Sequence, residues 1–357
     1  MPELRPDWLP AGRDPLLTHR LDDWWVDLLT RDEKPLGRLR GCKGGQVEQN
    51  VNRPITGGGS LEVRDVGQGV DWLDARVRVW WSVAGVDPWP VGTFVCSAPT
   101  AAHTATGRSW SVEILDKNHI LSEDAVPAAY TVAAGANVAA AVRAVIASAG
   151  EPATAITDSP ETLANAMVWP AGTSKLTIVN DLLDAINYFA IRCDGWGTYT
   201  AGPYQAPAQR PVVRDFVRGR DAVHLPTFTV DEDTTVPNRV ILTTTGSGTE
   251  EALVSVASNM DPTSRYSYPS RGRWITHTEE VEATSQQVLD DLAIRKLDAR
   301  SVVSKTIEIT NAPVPLSVND VVRFTSGPED VVAATQAFTQ ALAVGATMKT
   351  TIRQVTA

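Results

Sequence analysis

The chain has 357 residues, 43% hydrophobic and 21% charged, a balance that excludes a disordered chain and provides for about two domains or three. Its 42 Asp and Glu against 32 Lys and Arg leave a formal charge of -10, which excludes a protein that grips nucleic acid through a basic stripe. Cys42, Cys96 and Cys193 are odd in number and widely spaced, which excludes a disulfide scaffold and a structural zinc site.

The N-terminus lacks the basic and apolar regions of a signal peptide, and no apolar run reaches the ~20 residues of a membrane helix. The expectation is a soluble product made in a cytoplasm, with no membrane span. Charge divides the chain into three segments: 14 basic and 16 acidic residues over 1–118, 3 and 8 over 119–208, and 15 and 18 over 209–357. These segments are read as three domains, two β-rich ones flanking one that contains helices.

In the first segment, Val77, Val79, Trp81 and Val83 alternate with Arg76, Arg78, Trp80 and Ser82, the period of a half-buried strand. Trp110, Val112 and Ile114 alternate in the same way, and residues 24–29, 60–63 and 92–95 are further strands bounded by Gly, Pro or Asp. Gly57, Gly58 and Gly59 mark a turn, without the following Lys-Ser/Thr of a phosphate cradle. In the middle segment, Asn137 is placed to cap a helix over 138–149 and Ser174 a second in which Leu176, Val179, Leu183, Ile186 and Ala190 share a face. Asp194-Gly195 reads as a hairpin turn, and residues 202–211 as a Pro-rich connector.

The last segment returns to short β-branched strands around Val240, 253–257, 274–278, 302–309 and 321–324. Thr284 and Gln287 fit a capping box opening a helix to about Ala299, with Val288, Leu289 and Leu292 inward. Residues 331–344 suit either a helix, through their Ala content, or a hairpin arm paired with 348–355. The fold class is mainly β (α+β): 1–118 is read as a mostly antiparallel barrel or sandwich and 209–357 as a second β-rich domain, which the resemblance described below implies are two tube-like antiparallel β-barrel domains, with an α-containing domain, 119–208, between them.

No catalytic or metal motif is present: no HExxH, GxSxG, phosphate loop or EF-hand spacing, and His19, His103, His119, His224 and His277 are scattered. Catalytic, cofactor and metal sites are therefore all expected to be absent. Asp22-Asp23 beside Trp24-Trp25, and Asp71 and Asp74 flanking Trp72-Leu73, have the composition of a sugar cleft. Their spacing works against it, because adjacent strand residues face opposite ways and 71 and 74 differ by an odd step. The pairs Trp24-Trp25 and Trp80-Trp81 each place one ring inward and one outward, and outward rings are costly unless covered. Trp25 and Trp80 are thus candidate interface residues.

The order of motifs resembles minor tail proteins of long-tailed phages infecting actinobacteria: Trp24-Trp25-Val26-Asp27-Leu28-Leu29, Gly44-Gly45-Gln46-Val47, Asn50-Val51-Asn52-Arg53-Pro54-Ile55-Thr56-Gly57-Gly58, Asp71-Trp72-Leu73, Arg76-Val77-Arg78-Val79 and Pro90-Val91-Gly92-Thr93-Phe94. The likeness continues through residues 169–174, 236–239, 270–287 and 316–322 to Thr347, Met348 and Arg353. What it implies is a baseplate hub: a homotrimer at the distal end of the tail, each subunit offering two tube-like barrels to the tail tube or distal tail protein ring above. The tape measure protein and receptor-binding or fibre proteins would be neighbours. Since the chain ends directly after its last strand, receptor binding and wall cleavage would belong to other proteins. DNA would slide without specific binding through a channel whose acidic wall repels it. The alternative is a carbohydrate-binding or glycosidase-like tail tip protein using Asp71, Asp74 and the Trp pairs.

Overall fold

The computed structural model describes residues 14, 16, 20–105, 107–163, 165–219, 223–232, 235–244, 253–281, 286–300 and 305–355. The first segment forms β1 (Asp22–Leu29), β2 (Pro35–Arg38), β3 (Cys42–Asn50), β4 (Gly57–Arg64), β5 (Arg76–Val83), β6 (Trp89–Thr104) and β7 (Gly107–Asp116). The middle segment forms α1 (Asn118–Glu123), β8 (Tyr130–Val132), α2 (Val138–Ser148), β9 (Thr154–Ile156), β10 (Met167–Trp169), α3 (Lys175–Asp184), β11 (Arg192–Cys193) and β12 (Tyr199–Ala201). The last forms β13 (Val212–Val217), β14 (His224–Glu232), β15 (Arg239–Thr243), β16 (Val254–Ser258), α4 (Tyr268–Arg271), β17 (Thr276–Glu280), α5 (Gln286–Arg300), β18 (Lys305–Asn311), β19 (Val321–Ser326), β20 (Glu329–Ala341) and β21 (Met348–Gln354).

The chain is mainly β, with few and short helices. It divides into two compact units, Met1–Phe228 with Glu308–Ile352, and Thr229–Ile307 with Arg353–Ala357. The first unit is built on a 13-stranded sheet whose main path runs β14-β18-β21-β20-β3-β4-β7-β6-β5-β1-β2, with β19 on β20 and β13 on β19. This path is open, and the described residues form no closed barrel. Strands of the two terminal segments are fused at β20, which pairs with β19 along residues 329–334 and with β3 along 337–341, Phe338 opposite Gln49 and Gln340 opposite Val47. Ladder bonds on both edges of β20 decide the reading of 331–344 in favour of the hairpin arm, since a helix there would leave them unmade.

Alternation in β5 places Val77, Val79, Trp81 and Val83 in the core, all essentially unexposed, with β1 and β6 paired on either edge. Gly57, Gly58 and Gly59 differ from expectation: they open strand β4 rather than a turn. The reason is close backbone approach. Gly59 has φ +153°, and a Cβ there would stand 2.0 Å from the Gln46 carbonyl oxygen of β3.

In the middle segment, Asn137 accepts from the Ala140 amide at 2.9 Å and Ser174 from the Thr177 amide at 3.2 Å, each capping its helix. The two helices bury Val138, Val142, Ile146, Leu176, Val179 and Leu183 in one core with Ile156, Ile191 and Tyr199. α3 stops at Asp184, short of Ala190, because Asn187 takes a left-handed φ of 54°. The 194–198 turn has the amide of Gly197 donating to the Asp194 carbonyl at 3.0 Å, while Asp194 Oδ1 accepts from the Trp196 and Thr198 amides.

The second unit contains a sheet β16-β15-β17, antiparallel then parallel. Val240, Leu242 and Ala257 pack on Leu289, Ala293 and Leu297 of α5, with Leu292 partly buried beside them. Thr284 of the capping box and the Val288 side chain lie outside the described residues.

Asn137 also donates from Nδ2 to the Ser159 carbonyl at 2.6 Å, tying the start of α2 to the 159–161 loop. Ser174→Ala is expected to destabilise the protein by about 1 kcal/mol in a denaturant titration with unchanged m-value, and Asn137→Ala by more than Ser174→Ala.

Candidate functional site

The most demanding polar constellation in the first unit is a buried ion cluster where the sheet meets the helical layer. Lys117 directly follows β7, and its side chain has no solvent exposure. Its Nζ lies 2.7 Å from Glu151 Oε2, donates to the Gly197 carbonyl at 2.7 Å, and bonds Glu33 Oε1. Arg76, the first residue of β5, reaches both Glu151 oxygens and donates to Glu33 Oε1 at 3.1 Å. Arg78 joins from the same strand: its Nε donates to Thr93 Oγ1 at 2.8 Å, one guanidinium nitrogen donates to the Trp196 carbonyl at 2.8 Å, and that nitrogen is 3.6 Å from Glu33.

Local backbone geometry delivers each partner. Glu33 sits in the β1–β2 turn at φ 61°, and Glu151 follows Gly150 at the end of α2. Gly197 has φ +83°, and a Cβ on it would press on Thr93 and on Glu33 Oε2 at 2.9 Å. Next to Lys117, Asp116 accepts from Thr56 Oγ1 at 2.8 Å, the Gly57 amide at 2.5 Å and the Asn118 amide at 2.9 Å. Burial still raises the Asp116 carboxyl, against those three bonds. For Glu151 the balance is opposite: burial pushes its pKa up, but hydrogen bonds from Arg76 and Lys117 and their charges hold it below the ordinary 4.5. Three cations face two carboxylates, and main-chain carbonyls accept the surplus donors. With Lys117, Arg76 and Glu151 buried and every member engaged, the cluster acts as a fastener between sheet and helical layer.

The outward rings form an array on one face. Trp25 and Trp80 are cross-strand partners of β1 and β5 and stack at 5.7 Å with planes 13° apart. Trp196 meets Trp80 edge-on at 5.2 Å, the Arg38 guanidinium lies 4.5 Å over Trp25, and Arg78 lies 5.2 Å over Trp196. The chain thus half-buries Trp25 and Trp80 itself and leaves Trp196, 53% exposed, as the outer ring.

The carboxylate pairs fall elsewhere. Asp22 turns inward to Arg20 at 3.0 Å, its pKa raised because burial outweighs that partner, while exposed Asp23 accepts from the Trp24 amide at 2.8 Å. Asp71 and Asp74 stand on a turn and line one depression of about 630 Å³ with Arg31 and Asp32. No aromatic ring joins that wall, because Trp72 is buried against Trp110 at 6.3 Å. The sugar platform expected beside these acids is therefore missing. The three cysteines are free, and burial pushes the Cys42 and Cys96 thiols up to about 11 and about 12.

Another cavity, of about 390 Å³, opens among residues from all three segments: Gln49, Trp89, Arg192, Trp196, Phe338 and Gln340 stand in its wall. Neither this cavity nor the ion cluster was anticipated. Each assembles single polar residues from distant stretches, and each such residue alone reads as a solvated surface group. Among the described residues no group of three or more His, Cys, Asp and Glu is arranged to hold a metal ion, and no helix is long and apolar enough to cross a membrane.

Glu151→Gln leaves Lys117 with one carboxylate and is expected to cost about 3–5 kcal/mol at neutral pH. Because the folded pKa of Glu151 is depressed, its contribution is complete above 4.5 and is lost as pH falls through the folded value. Urea titrations should therefore show the wild-type and variant stabilities converging in acid.

Comparison with protein-family models and with curated proteins gives no match. Solved structures do match along the whole chain. A tail protein from Neisseria meningitidis MC58 superposes with a TM-score of 0.66 at 14% identity, over 93% of this chain and 97% of that one. The 43 kDa tail protein of prophage MuSo2 from Shewanella oneidensis gives 0.63 at 10% identity, over 93% and 98%. A chain in the half-lidded Francisella PdpA-VgrG complex gives 0.61 at 6% identity, over 97% of this chain and 59% of that one. The protein has the fold of phage tail proteins.

Proposed function

We propose that the protein is a baseplate hub at the distal end of a long-tailed phage tail, with no chemistry of its own. The observation that carries this reading is the chain-wide likeness to two tail proteins, each covered to 97% or more. The sequence motifs quoted above support an actinobacterial host. Three copies would assemble as a ring, with the two halves of the fused sheet, one from residues 1–118 and one from 209–357, serving as the two tube-like barrel surfaces of each subunit. Six such surfaces would meet the distal tail protein ring or tail tube, with the tape measure protein ending in the channel and receptor-binding or fibre proteins attached outside.

The acidic balance fits a channel that passes DNA without holding it. At a formal charge of -10 per chain, a trimer repels phosphate wherever its lumen carries that excess. The Trp25–Trp80 stack, held by Arg38, would lie at a subunit contact, where half-buried aromatic rings are better covered than left in water.

Native mass spectrometry of the purified protein is expected to give three times 38.4 kDa, and Trp25→Ser is expected to shift the population to monomer. A monomer at every concentration would contradict the hub reading.

A further inference from the structure

We propose that the 390 Å³ cavity between the sheet and the β11–β12 turn is a binding site for a neutral saccharide unit. Phe338 and Gln340 alternate on β20, and Gln49 is the cross-strand neighbour of Phe338 on β3, so all three occupy one face of the sheet. Trp89 at the start of β6, with Arg192 on β11 and Trp196 in the turn that follows it, completes the wall. Gln340 is 1% exposed, yet its side-chain nitrogen has no hydrogen-bond partner. A buried amide donor left unmade is costly, and a ligand oxygen in this cavity would satisfy it.

The remaining chemistry selects the ligand class. Arg192 is already engaged with the Val318 carbonyl at 2.9 Å, and Asp194 Oδ1 with two amides of its own turn. Their opposite charges leave the wall neutral overall, which disfavours an ionic ligand. Indole rings offer faces to apolar C–H surfaces, and planar amides match hydroxyl groups, the combination that suits a pyranose ring. The volume lies within the roughly 300–1,000 Å³ of small-ligand sites. An extended peptide is a poorer match, since β3, β6 and β20 are each paired on both edges and offer it no free backbone groups. This inference stands apart from the hub reading: a protein that is not a trimer would still present the cavity.

The test is calorimetry and saturation-transfer NMR on the full chain with lactose, maltose and chitobiose, and with triglycine as the peptide control. At least one disaccharide is expected to bind, with Trp196→Ala and Gln340→Leu each weakening it about tenfold, and Trp196→Phe retaining most of the affinity. Gln340→Leu removes an unpartnered donor, so its melting temperature is expected to equal or exceed that of the wild type. Trp196 is half exposed, so its variant keeps the test decisive should Gln340→Leu misfold. Absence of binding by all three sugars, binding unchanged in both variants, or displacement of the sugar by triglycine would each overturn the assignment.

Discussion

The Lys117 ammonium sits without solvent exposure between the carboxylates of Glu33 and Glu151 and beneath the Gly197 carbonyl. Desolvating a charge costs several kcal/mol, and only close, fully bonded partners repay it. That requirement draws together four separate stretches: the β1–β2 turn, the start of β5, the end of β7 and the chain after α2. It also places the 194–198 turn on β6, where Thr93 Oγ1 donates to the Gly195 carbonyl at 2.9 Å. Trp196 against Trp80, and the wall of the saccharide cavity, follow from the same placement. The helical layer is thereby keyed to the sheet in one orientation, by bonds that apolar packing alone would not specify.

A second constraint acts along the sheet. β20 joins strands of the last segment to β3 of the first, so the two ends of the chain share one ladder. Such pairing is entirely non-local and costly to close, but it makes the middle segment an insertion supported by a continuous β framework. The agreement in fold with the Neisseria and Shewanella tail proteins holds at only 14% and 10% identity, so the shared architecture tolerates near-complete change of sequence.

Much of the local structure was legible in the sequence. Strict alternation identified β5 and β7, and Asn137 and Ser174 marked both helix starts, because period and caps are local signals. The β-rich character and the tail-protein likeness were legible through short motifs in a fixed order. What escaped were features assembled from far apart. Arg76 reads as an outward residue of β5, yet Glu33 from the β1–β2 turn and Glu151 from the middle segment engage it and it is buried. Gly57, Gly58 and Gly59 read as a turn, because the need for glycine arises from the approach of β7 to Gly57 and Gly58 and of β3 to Gly59, which no local pattern reveals. Fusion of the two β segments at β20 was equally hidden, since residues 331–344 carry Ala that suits a helix as well as a strand. Trp196, in the middle segment, proved to be the ring that edges Trp80 and reaches the cavity.

We propose that three copies of this chain close a ring. Cryo-electron microscopy of the purified protein tests it most directly. Three-fold particles are expected, in which the fused sheets line an open or plugged lumen of net acidic character, with the Trp25–Trp80 stack at the subunit contacts. Isolated single chains, or a ring whose lumen is basic, would contradict it.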